Sequence, residues 1–263
     1  MSTSITARSV APDTEALTVH FPVPGLGVLP INSFVIRSAE PVLVDAGLAA
    51  DSDLFLDGLR SAIDLGDVRW IWLTHTDADH VGCLLPLLDA APRARVVTTF
   101  LGLGKLGLRR PVPPERAYLL NPGQALDVGD RSLVALTPPS FDAPETTGLF
   151  DSRTRCLFSA DCFGALLPEP AELAAALPAS TLEKGLVTWA TVDAPWLPWI
   201  RDRDFERAAS AVLKLDPSVV LSSHLPPARG LTRDLIRHLD RARSVPPFVG
   251  PDQEALVASL RSA

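Results

Sequence analysis

Two histidines and two aspartates, His75, Asp77, Asp79 and His80, fall within six positions directly after the apolar run Trp70-Ile71-Trp72-Leu73. Imidazole nitrogens and carboxylate oxygens at this density are the donors that bind transition metals. Residues 70–73 read as a buried strand, and residues 81–88 start a helix that buries Leu84, Leu85 and Leu88. The four donors therefore lie on the turn between strand and helix, where a strand end held by the core can aim them at one point. A metal would also offset a cost. Two carboxylates within three residues repel, and a helix N-terminus returns only about 0.3–1 kcal/mol per charge. The competing reading is an Asp-rich helix N-cap with incidental histidines; the ligand spacing favours the metal.

Two further donors stand at the ends of apparent strands. Asp161 follows the largely apolar residues 157–160, and a carboxylate at such a place is poorly solvated unless paired, so a metal is an economical partner. His224 follows a strand expected over residues 217–221. His20, alone in a weakly alternating strand over 17–21, reads as structural, and His238, on a charged helix, reads as a surface residue.

The elements that must carry these donors alternate between strand and helix. Residues 1–16 read as a loose lead-in, 22–30 as a Pro- and Gly-containing loop, and 31–37 with 41–44 as a hairpin. Helices are expected at 54–63, 205–215, 232–242 and 253–260, with short strands at 95–99 and 133–137 and a hairpin over 147–159. Residues 100–122 read as a mobile loop. Gly102, Gly104 and Gly107 match a dinucleotide fingerprint by letters, but the Arg and Pro residues that follow cannot open the helix it requires.

Composition bounds the function. A chain of 263 residues with 47% hydrophobic content can bury a large core as a single domain. A net charge of −7 and the lack of a basic stripe argue against nucleic acid, and the pair Arg109-Arg110 reads as a solvated loop tip. No apolar run approaches the ~18 residues of a membrane span, and no secretory leader opens the chain, so a cytoplasmic protein without membrane contact is expected. Cys83, Cys156 and Cys162 have no metal-type pairing and read as buried thiols.

The motif His75-Thr-Asp-Ala-Asp-His80 resembles the His-x-His-x-Asp-His signature of the metallo-β-lactamase superfamily. It is more similar still to the flavodiiron and oxygen-binding di-iron branch, where an acidic residue takes the second His position. Asp77 stands where that branch usually carries Glu. Val44-Asp45-Ala46-Gly47 resembles the superfamily's Asp-x-Gly beneath the metal loop, and Asp161-Cys-Phe-Gly164 resembles its bridging carboxylate. His224 matches its final His ligand. Four separated motifs thus recur in the family's order across residues 30–230.

This resemblance implies an α/β fold, the metallo-β-lactamase αββα four-layer sandwich. The family places a His between the second and fourth motifs, but residues 81–223 contain none. Asp142, on the loop 138–146, is the substitute at the branch's intervals, with Glu145 and Ser140 as rivals. Metal one then takes His75, Asp77 and Asp142, metal two takes Asp79, His80 and His224, and Asp161 bridges them. Such an oxygen-rich set favours iron over zinc, with manganese also possible.

The implied function is binding or reduction of dioxygen at two iron ions. The chain ends at Ala263 with no flavodoxin domain, so electrons are expected from a separate flavoprotein. The alternative is zinc-dependent hydrolysis of an ester, thioester or lactam carbonyl by activated water. A non-catalytic sensor with a degenerate site is a third reading. By analogy with the branch, a homodimer is expected.

Overall fold

The computed structural model of the chain describes residues 4–109 and 111–262; Arg110, half of the basic pair, lies outside the described residues. The N-terminal third is built by one long pairing. Strand β1 (Arg8–Ala11) pairs with β2 (Thr14–Val23), and β2 pairs with β3 (Gly27–Ile36) over ten positions, from Thr14 opposite Ile36 to Val23 opposite Gly27. Residues 8–16 are therefore sheet rather than part of a loose lead-in. Residues 22–30 are likewise mostly strand and not loop. The amides of Val28 and Asn32 point away from β2, to Leu167 O at 2.7 Å and Ser223 O at 2.9 Å. Position 30 lies between them on the same side of the strand, so Pro30 costs the β2–β3 ladder no bond.

Beyond β3 the chain winds through parallel crossovers: β4 (Val42–Val44), α1 (Ser52–Ala62), β5 (Trp70–Trp72), α2 (Ala78–Val81), α3 (Leu84–Ala90), β6 (Arg95–Thr98), α4 (Phe100–Gly107) and β7 (Ala117–Leu119). Strands β1 to β7 form the first sheet in chain order. The second sheet contains β8 (Ala125–Asp127), β9 (Ser132–Leu136), β10 (Gly148–Asp151), β11 (Cys156–Phe158), β12 (Val219–Leu221) and β13 (Ala228–Arg229), also neighbouring in chain order. Helices α5 (Ala179–Asp193) and α6 (Asp202–Leu215) are inserted between β11 and β12, and α7 (Thr232–Ala242) and α8 (Gln253–Ser262) close the chain.

Period-two alternation sorts the core into layers. Leu43, Ile71 and Val96 face Leu59 of α1 and Leu84 and Leu87 of α3. Their neighbours Val44, Trp72 and Val97 face Leu133, Leu149 and Phe158 of the other sheet. Leu157 and Val220 turn outward to Leu186, Phe205 and Leu235 of α5, α6 and α7. The result is the helix, sheet, sheet, helix sandwich that the resemblance implied.

Three local expectations are corrected. Residues 100–107 are helical instead of a mobile loop, because Thr99 caps them: its Oγ1 accepts from Gly102 N at 3.1 Å. Leu85, expected in the core, is 42% exposed, because the helix is split into α2 and α3 and Leu87 takes the inner position. His238 is buried rather than on the surface. The charges on α7 obscured its inner stripe of Leu235, His238, Leu239 and Ala242, which repeats at helical spacing. The three cysteines are buried and form no disulfide among the described residues, in which no helix is long and apolar enough to cross a membrane.

Candidate metal centre

The site begins with Asp45, at the end of β4. It is 1% exposed and adopts a left-handed backbone, φ 59°. Its Oδ1 accepts from Thr74 N at 2.8 Å and its Oδ2 accepts from Thr74 Oγ1 at 2.8 Å, which fixes the start of the loop after β5. The Asp45-Ala46-Gly47 backbone then clamps the next turn. Ala46 N donates to His80 O at 2.7 Å, and Gly82 N donates to Gly47 O at 2.8 Å. Gly82 is required by this approach, since a Cβ there would stand 2.2 Å from Ala49 N.

The same network orients all three imidazoles. His80 Nδ1 lies 2.9 Å from Asp45 Oδ2, and His224 Nδ1 lies 2.8 Å from Pro30 O. A carboxylate and a carbonyl can only accept, so both Nδ1 atoms donate. Thr74 Oγ1 gives its proton to Asp45 and therefore accepts from His75 Nδ1 at 3.1 Å. In its neutral form each ring then carries its lone pair on Nε2, the form in which a histidine binds metal. Nε2 of His75 and of His80 are buried without a hydrogen-bond partner, as is Asp161 Oδ1.

These atoms converge. Asp161 Oδ1 is 3.2 Å from His80 Nε2, while Oδ2 is 3.2 Å from His224 Nε2 and 3.7 Å from His75 Nε2. Asp79 Oδ2 lies 3.5 Å from His80 Nε2 and 3.4 Å from His224 Nε2. Asp142 Oδ1 lies 3.9 Å from His75 Nε2. Ligand atoms of His75, Asp77 and Asp142 all fall within 4.8 Å of one another, as do those of Asp79, His80 and His224, and those of His75, His80 and Asp161. The structure thus brings together all seven candidates, His75, Asp77, Asp79, His80, Asp142, Asp161 and His224.

The charges in the cluster are strongly coupled. Burial alone would raise Asp161, but His224, His80 and His75 overcome it and hold the carboxyl well below the usual range. Burial likewise opposes a charged His224, yet Asp161 pushes it up to about 9. His80 is raised well above its ordinary value by Asp161, Asp45 and Asp79 against the same desolvation. Burial, and then Asp161 and Asp77, raise Asp142. Among the described residues the carboxylates attract protons to the rings in the way they would attract metal.

The rivals of Asp142 are otherwise engaged. Glu145 Oε1 accepts from Lys105 Nζ and from Thr76 Oγ1, each at 2.6 Å. Ser140 is buried beside the Cys162 thiol. One acid in the cluster was missed from the sequence: Asp193, the last residue of α5, whose carboxylate shares a 4.8 Å group with Asp142 and Asp161. Burial and those two neighbours push it up to about 8. Its signal was an aspartate in the last turn of a helix, against the dipole, within an apolar segment.

On the remaining side Trp189 covers the site. Its ring centroid is 4.7 Å from that of His224, and its Nε1 donates to Asp161 O at 3.1 Å. Gly164 permits this contact, since a Cβ there would lie 2.5 Å from Trp189 Nε1. Trp196 donates from Nε1 to Phe141 O at 2.9 Å, whereas Trp199 is 78% exposed and takes no part in the core.

Comparison with known proteins agrees with this frame. An anaerobic nitric oxide reductase flavorubredoxin of Salmonella typhi is 30% identical over 134 residues, covering 51% of this chain and 28% of the relative. The chain thus aligns with little more than a quarter of that curated relative. Rubredoxin oxygen:oxidoreductase from Desulfovibrio gigas superposes with a TM-score of 0.81 at 16% identity, over 91% of this chain and 62% of that one. The flavodiiron protein from Giardia intestinalis gives 0.80 at 16% identity, over 92% and 60%. These relatives lie in the branch that the acidic second position of the motif resembles. The family model for the metallo-beta-lactamase superfamily matches residues 26–224, from the β2–β3 turn to the final histidine of the cluster, and the chain belongs to that superfamily.

Proposed function

We propose that the cluster holds two metal ions, iron in preference to zinc or manganese, and that the protein reduces dioxygen or nitric oxide with electrons from a flavin carried outside residues 1–263. The observation that supports this most is the donor set. Three imidazole Nε2 atoms surround one buried carboxylate, those of His75 and His80 without a hydrogen-bond partner, and the carboxylates of Asp77, Asp79 and Asp142 group with them. In this reading Asp77 and Asp142 take places where zinc hydrolases of the superfamily carry histidine. The set is accordingly harder than a zinc site.

Iron held by these residues would supply one-electron chemistry toward a diatomic molecule. The chain's own groups do the rest. Asp45, Thr74 and Pro30 fix the imidazoles, Asp161 faces both half-sites, and Trp189 shields the His224 side. Asp77 borders a cavity of about 350 Å³ lined also by Thr76, Lys105 and Leu106. The names of the flavorubredoxin and flavodiiron relatives favour the same chemistry.

The test is metal content after purification from iron-supplemented medium without chelator, with visible absorption before and after reduction and admission of air. About two irons per chain and an oxygen-responsive spectrum are expected for a filled dinuclear set. Retained zinc, a featureless spectrum and turnover of an ester, thioester or lactam would instead establish hydrolysis.

A further inference from the structure

Asp193 has no evident structural task. It is 9% exposed and ends α5, whose last turn contains no basic residue. A carboxylate there opposes the helix dipole and is costly to bury.

What it faces is the metal-one half of the site. One Asp193 oxygen lies within 4.8 Å of ligand atoms of Asp142 and Asp161, and Asp142 belongs equally to the group with His75 and Asp77. His75 supplies the independent sign of a ligand. It is fully buried, its Nε2 has no hydrogen-bond partner, and that atom lies 3.9 Å from Asp142 Oδ1 and 3.7 Å from Asp161 Oδ2. An unpartnered imidazole nitrogen thus faces Asp142 and Asp161, the same two carboxylates that Asp193 adjoins.

We propose that Asp193 is an additional ligand of metal one, joining His75, Asp77, Asp142 and the shared Asp161. The inference rests on the dinuclear reading above. It makes the two half-sites chemically unequal. Metal two has two imidazoles, while metal one has a single imidazole among carboxylates, a set suited to manganese or iron rather than zinc. Asp193 thereby takes over, together with Asp142, the place of the histidine that this chain lacks.

The experiment is a titration of the metal-free full chain with Mn²⁺ alone, counting unbound ion by its EPR signal, for wild type and Asp193→Asn. Melting of both metal-free proteins is measured in parallel. Wild type should take up two ions. Asp193→Asn should keep one tight ion and bind the other about 10–100-fold more weakly, and Zn²⁺ should compete better for that weakened position. Its metal-free form should melt no lower than wild type, because the substitution removes one of three crowded carboxylates while keeping the shape. A variant that binds both ions as wild type does would overturn the assignment and leave the dinuclear reading standing. A variant whose metal-free form melts lower and which loses both ions together would show that Asp193 is structural. Fewer than two ions on the wild-type chain would overturn the dinuclear reading itself, and the assignment with it.

Discussion

Asp161 is the residue on which the cluster depends, because its two oxygens face different imidazoles, Oδ1 toward His80 and Oδ2 toward His224 and His75. If it bridges two ions, Asp161→Ala should abolish binding of both, and elemental analysis showing two ions retained would remove it from that role. Asp142→Ala should act more narrowly. Asp142 groups with His75 and Asp77 and with Asp161 and Asp193, but not with His80 or His224, so one ion should be lost and the other kept. Unchanged metal content would return the role to Glu145, whose Oε2 is buried without a partner. The residues legible in the sequence were those that ride on strand ends: the His75–His80 turn, Asp161 and His224 each follow an apolar run that announces them. Asp142 was found by its interval from His80 and Asp161, not by its surroundings. Asp193 was not found, because it comes from a helix of the insert and only the folded chain brings it to the other carboxylates. The work of Asp45 was visible as a motif, but its grip on Thr74 and the His80 ring is a matter of geometry.

At the scale of elements, the two sheets are joined at their far edge by Arg131, in the turn between β8 and β9. Its guanidinium donates to Asp151 Oδ2 at 3.1 Å, Asp13 Oδ2 at 2.9 Å and Arg37 O at 3.3 Å, so one side chain ties β10 to the β1–β2 turn and the end of β3. Asp151 is fully buried. Arg131→Met would leave that carboxylate without its cation, and a loss of about 3–5 kcal/mol is expected in denaturant unfolding. A loss under about 1 kcal/mol would mean that Thr154 and the Arg153 amide satisfy Asp151 alone. Acid unfolding gives a second reading. Arg131, chiefly, holds Asp130 down at about 2 against an ordinary 3.8. A depressed carboxylate stabilises fully above the unfolded value and loses that contribution as pH falls toward the folded one. In the metal-free protein the part of the acid limb between pH 3.8 and about 2 should therefore shrink in Arg131→Met. This tie also explains why residues 8–16 were misread. Their order comes from distant partners such as Arg131, whereas periodicity reports only local burial. Pro22 and Pro30 misled for a similar reason, because a proline on the outward-pointing side of a strand looks like a turn until its neighbours' hydrogen bonds are known.

For the whole molecule, the important fact is that the two sheets contribute separate halves of the donor set. His75, Asp77, Asp79 and His80 follow β5 of the first sheet, while Asp142, Asp161 and His224 follow β9, β11 and β12 of the second. The apolar seam holds the sheets face to face, with Phe34 and Phe158 in edge contact at 5.4 Å, but it does nothing for the repulsion among the carboxylates at its rim. A cation bound there would join the sheets and relieve that repulsion in one step. Metal binding should therefore appear as stability of the whole sandwich and not only as occupancy. An ion at 100 times its dissociation constant contributes about 2.7 kcal/mol by mass action. For a domain of this size that is about 5–10 °C in Tm. Chelation of the metal-loaded protein should lower Tm by at least this amount, and re-addition should restore it. Asp161→Ala, in contact with both half-sites, should melt at the same temperature with and without metal. Hydrogen exchange should locate the change: chelation should release the loops after β5, β9, β11 and β12 while leaving the strand amides around Phe158 protected. Equal loss of protection at the seam and at the rim would mean that the ions hold up the core itself, and that the hydrophobic layers are less self-sufficient than their burial implies.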